Sequence, residues 1–126
     1  MPKEHKTSLE LLQYAASIAL YEKLVIQLKK DFSLANIALD LPDGITPLAL
    51  KTILKEKIYV LLLERFPDYL NLLYIIDVPE KAFSSIKSTN VVEVAEGVSF
   101  LVLKREWQKV WLKQSYGTGG NGNKED

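Results

Sequence analysis

Apolar and polar positions divide this chain into helix-sized stretches. From Thr7 to about Asp31 no glycine or proline intervenes, and Leu9, Leu12, Ala16, Ala19, Leu20 and Ile26 recur at helical spacing. The pattern predicts one long helix. Thr7 caps it, and Glu10, three positions on, completes a capping box. Its apolar surface is wide, as expected of a central helix contacted on several sides.

The stretch 39–47, LDLPDGITP, is a loop because Pro42, Asp43 and Gly44 are turn residues for separate steric reasons. Thr46 then caps a second helix with Pro47 in its first turn, where the missing N–H costs nothing. Leu50, Ile53, Leu54 and Leu61 hold one face of that helix. Pro67 cannot continue it, so a break falls near Phe66.

The run DYLNLLYIIDVP (68–79) fits a helix, with a short buried strand near 69–76 as the alternative. A short helix is expected from Pro79 to about Lys87, a loop at 88–90, and a turn of helix or a brief extended piece in VVEVAEG. A final helix runs from about Glu96 to Tyr116. The expectation is an all-α compact bundle of about five helices over 7–116, between a flexible N-terminus (1–6) and a disordered glycine-rich tail (117–126). The alternative is an α+β fold with that one short strand.

The most distinctive stretch is REWQKVWLKQ, 105–114. Stepping about 100° per residue from Phe100 puts Leu103, Trp107, Val110 and Trp111 in one stripe. Arg105, Glu106, Lys109 and Lys113 fall opposite, with Lys104 at the stripe's edge. A single-strand-binding surface needs rings and cations on the same face, so this segregation argues against one. Packing of the tryptophans into the domain is the first expectation. A partner or self-association face is the second, with Trp107, Trp111, Phe100, Tyr69 and Tyr74 as its candidate residues. Lys104, Arg105, Lys109 and Lys113 form a candidate basic patch.

Charge and composition narrow the chemistry. Sixteen cationic and sixteen anionic side chains cancel, which argues against nucleic acid as a partner unless that patch acts locally. There is no cysteine, which excludes disulfides and thiolate chemistry and suits the cytoplasm. The longest uncharged run, residues 11–21, is too short to span a bilayer, and Glu4, Glu10 and Gln13 spoil an export signal.

The only histidine, His5, sits in the N-terminal segment expected to fray, so no serine triad or histidine metal cluster is expected. GTGGNG (117–122) matches a dinucleotide fingerprint in letters alone, since it follows a helix rather than a strand. Asp40 and Asp43 flank a turn, while Glu93 and Glu96 suit a helix start. No catalytic, cofactor-binding or metal-ligating residue is nominated.

Three segments together, YEKLVIQLKKDFSLAN (21–36), FPDYLNLLYIIDVPEK (66–81) and FLVLKREWQKVWLK (100–113), resemble a group of short bacterial helical proteins with no known function. The resemblance implies a compact helical domain and a bacterial cytoplasmic setting, and carries no activity. The leading expectation is a non-catalytic helical protein–protein interaction module, able to self-associate as a homodimer. The alternatives are a nucleic-acid-binding adaptor using the basic face and an enzyme with a carboxylate-based site. Two acids converging in the fold would favour the enzyme.

Overall fold

The computed structural model describes the backbone of residues 4–119 and the side chains of residues 4–116. It is all-α: α1 (Ser8–Ser17), α2 (Tyr21–Leu34), α3 (Pro47–Glu64), α4 (Phe66–Ile76), a 3-10 helix (Glu80–Ser85) and α5 (Val91–Gly119). The strand alternative at 69–76 is overturned, because α4 covers the whole run. The final helix begins five residues earlier than the expected Glu96, at Val91, and its backbone stays helical to Gly119. That takes in the first three residues of the expected tail; residues 120–126 lie outside the described residues.

Local chemistry accounts for most helix starts. The Thr7 hydroxyl accepts from the Glu10 amide at 3.1 Å, and the Glu10 carboxylate accepts from the Lys6 amide at 2.9 Å. The capping box therefore closes on Lys6, one residue before its usual target. Thr46 accepts from the Ala49 amide at 3.2 Å, as its position before Pro47 predicts. Asn90 starts α5: its side-chain oxygen accepts from the Val92 amide at 2.9 Å and the Glu93 amide at 3.2 Å.

Helix ends carry the main departure from expectation. The stretch read as one long helix is two, because Ala19 adopts a left-handed conformation with φ of 61°. The Leu20 amide then bonds back to the Ala15 carbonyl and the Ala19 amide to the Ala16 carbonyl, a Schellman closure. Asn36 and Asp77, at φ of 60° and 69°, end α2 and α4 in similar left-handed turns. Burial of Leu20 at the corner supplies the apolar contact that such a closure uses.

The central element is α5 rather than the first helix: it packs against α1, α2, α3, α4 and the 3-10 helix. Leu50, Leu54 and Ile58, one row on α3, are fully buried along with Leu24, Leu28 and Phe32 of α2. Each such burial is worth about 1.5–3 kcal/mol. Gly97 lets Ile86 approach α5 closely, since a Cβ there would meet the Ile86 side chain at 3.0 Å. No described helix is long and apolar enough to cross a membrane.

Candidate functional site

The buried arc of α5 centres on Leu103, Glu106 and Val110, rotated by more than half a residue step from the aromatic stripe. Trp107 still reaches the core, at 2% exposure, while Trp111 and Phe100 sit half-buried on its edge. Tyr14 meets the Trp107 ring edge-on at 6.2 Å, and Trp111 lies 6.2 Å beyond. Of the other candidate face residues, Tyr69 is buried beside Phe66, with ring centres 5.3 Å apart, and Tyr74 is 81% exposed. The five aromatics therefore do not share one surface.

The four candidate basic residues also part company. Lys104 is exposed, its ammonium 5.3 Å above the Phe100 ring. Arg105 turns to the end of α4, donating to the Asp77 carbonyl at 2.9 Å and its carboxylate at 3.1 Å. Lys109 and Lys113 turn to α2: Lys109 donates to Asp31 at 2.8 Å, and Lys113 to the Gln27 side-chain oxygen at 2.9 Å.

That turn uncovers an arrangement the sequence concealed. Glu106 was expected on the solvent face, yet it is fully buried, and it lies beside Asp31, itself 3% exposed. Lys109 sits between them, 2.8 Å from Asp31 and 3.4 Å from Glu106. Gln27 adds its amide to both Asp31 oxygens at 3.3 Å.

The two acids are pushed apart in acidity. Burial first, then the hydrogen bond and charge of Asp31, push the Glu106 carboxyl up to about 9 despite Lys109. Burial also pushes Asp31 upward, but hydrogen bonds from Glu106, Lys109 and Gln27 outweigh it and leave Asp31 below its usual value. At neutral pH the pair shares one proton: Glu106 is neutral and donates, Asp31 is charged and accepts.

Above this cluster, α2 and the C-terminal half of α5 form an open groove of about 480 Å³. Lys23, Lys30 and Lys113 line it, with the amides of Gln27 and Gln114 and the apolar Ile26, which is 63% exposed. No carboxylate is among its described lining residues. Lys23 reaches across to the Gln114 oxygen at 3.1 Å, so two cation–amide bridges, this one and Lys113 to Gln27, tie the groove's walls together. Of the four basic candidates only Lys113 belongs to it. Lys23 and Lys30 went unnoticed because they lie on a different helix, far from Lys113 in the chain.

His5 also departs from expectation: it is buried, with its ring 4.9 Å from Tyr14. Among the described residues no three acidic or histidine side chains gather as a metal would require. Comparison with known proteins finds no matching family model, no matching curated relative and no matching solved structure.

Proposed function

We propose that the protein is a non-catalytic helical binding module whose α2–α5 groove takes an acidic segment of a partner protein, one that also carries an apolar side chain. The observation that carries this reading is the groove's lining among the described residues: three lysines, two amides, no acid, and the exposed Ile26. In a chain with no net charge, that is a local concentration of positive potential next to an apolar contact point. The buried Asp31–Glu106–Lys109 cluster joins α2 to α5 beneath it, so the walls are set before a partner arrives. Absence of cysteine supports the cytoplasm as the setting, and the resemblance supports a bacterial source.

An enzyme is the second reading, favoured by the convergence of Asp31 and Glu106. Both acids lie under the surface and neither lines the groove, so they serve the fold's seam rather than a substrate. The nucleic-acid reading is weaker, because carboxylates engage Arg105 and Lys109 while Lys113 turns into the α2–α5 groove, so the four cations do not form one basic face.

Selection from a displayed library of random peptides tests the proposal. It predicts enrichment of sequences with Asp or Glu flanking an apolar residue, binding that weakens with salt, and loss on Lys30→Glu. Enriched peptides indifferent to Lys30→Glu would overturn it. So would tight, steeply salt-dependent binding of duplex DNA that outcompetes the peptides.

A further inference from the structure

Elsewhere on α5, sharing no lining residue with the groove, lies a cavity of about 210 Å³. It sits where the N-terminal segment, α1, the α4–3-10 connection and α5 meet. Leu11, Val78, Ala82 and Leu101 give it an apolar wall. Lys104, Arg105 and Gln108 bring polar groups to it, and among the described residues Glu4 is the one carboxylate in its lining. The volume lies below the roughly 300–1,000 Å³ of sites for drug-sized ligands, so a small molecule is the size that fits.

The polar groups are unequally engaged. Arg105 is held in place, each of its nitrogens donating once: two go to Asp77 and the third to Gln108 at 2.7 Å. That bond fixes the Gln108 oxygen toward Arg105 and leaves its amide N–H groups to face elsewhere. Among the described residues Lys104 has no carboxylate partner; its contact is the Phe100 ring. Two lining residues also carry a buried ring nitrogen with no hydrogen-bond partner among the described residues, His5 Nε2 and Trp107 Nε1. Buried ring nitrogens are normally satisfied, and two unsatisfied ones in the wall of one cavity is a local exception.

We infer that this cavity is a binding site for a small aromatic monocarboxylate. The ring lies against Leu11, Val78, Ala82 and Leu101, and the carboxylate meets the Lys104 ammonium and the Gln108 amide. This site is independent of the α2–α5 groove, and either can fail without the other.

Benzoate is the probe, with benzyl alcohol as the ring without the charge and inorganic phosphate as the charge without the ring. His5 is the only histidine, so its imidazole signals in proton–nitrogen NMR are free of overlap and report from the wall of this cavity. The expected result is saturable movement of the His5 signals with benzoate, at least about tenfold tighter than with benzyl alcohol, and none with phosphate. Lys104→Met removes that preference while leaving the fold intact, since Lys104 is exposed. Ala82→Leu, which fills the cavity, abolishes benzoate binding with the helical circular dichroism unchanged. Equal affinity for benzoate and benzyl alcohol, no saturable movement of His5, or undiminished benzoate binding by Ala82→Leu overturns the inference.

Discussion

Replacing Glu106 with glutamine is expected to make the protein more stable, and increasingly so as pH rises. Glutamine keeps the shape and can still donate to Asp31, but it cannot ionise. In the folded protein Glu106 holds its proton up to about 9, whereas the unfolded chain releases it near 4.5. Between those values the folded state binds one proton more than the unfolded state, so stability falls as pH rises. The contribution is fully present below about 4.5 and is lost progressively up to about 9.

Each pH unit in that window corresponds to about 1.36 kcal/mol. From pH 5 to 8 the wild type should therefore lose up to about 4 kcal/mol relative to Glu106→Gln; water entry and turning of Lys109 on ionisation reduce this to about 2–4. Asp31 acts in the opposite sense and elsewhere. Its lowered value gives stability present above about 3.8 and lost as pH falls below that, outside the window used. Urea unfolding followed by tryptophan fluorescence at pH 5, 6, 7 and 8, for both proteins, reads the difference directly. Stability curves that stay parallel within about 0.5 kcal/mol across that range would refute a shared proton in the α2–α5 seam.

Three further substitutions test other parts of the structure. Lys109→Met strips the cation that bridges Asp31 and Glu106 and should cost about 3 kcal/mol by denaturant unfolding near neutral pH; a loss under about 1 would mean the bridge is not formed. Ala19→Gly should stabilise by about 0.5–1 kcal/mol, because glycine adopts the left-handed corner without a Cβ clash; a raised thermal midpoint checks it, and a lowered one would place Ala19 outside that conformation. Asn90→Ala should cost about 1 kcal/mol and fray the start of α5, seen as faster amide exchange at Val92 and Glu93.

What the sequence made legible was local. Thr7 and Thr46 sit within a turn of the amides they cap, and Pro67 acts within a turn of itself, so the starts of α1 and α3 and the break before α4 follow from neighbours in the chain. Asn90 caps α5 in the same way, but the stretch 88–90 reads as a loop and the sequence pattern puts the start of α5 five residues too late. The stops at Ala19, Asn36 and Asp77 were less legible because no glycine marks them. At Ala19 a buried leucine and two carbonyls of the preceding turn outweigh the residue's own preference.

The candidate site was hidden for a different reason. Centring the helical wheel on the tryptophans placed Glu106 in water, whereas packing against α2 and α3 rotates the buried arc toward Leu103 and Val110. Its acid partner and two of the groove's three lysines come from a helix far away in the chain, and only the fold brings them together. Glu106, an ionisable residue on α5, is buried because Asp31 and Lys109 are there beside it and it keeps its proton, which no periodicity could reveal.

The central claim is that the lysine-lined groove between α2 and α5 is the partner-binding surface. The most direct measurement is amide and methyl chemical-shift mapping of the whole chain as an acidic, leucine-containing peptide is added. The account predicts saturable shifts concentrated at Ile26, Lys30, Val110 and Lys113, with the exposed residues of α4, Tyr74 among them, unmoved. Shifts centred on Leu70 and Tyr74, with Ile26 and Lys113 unmoved, would contradict it and move the binding surface to α4.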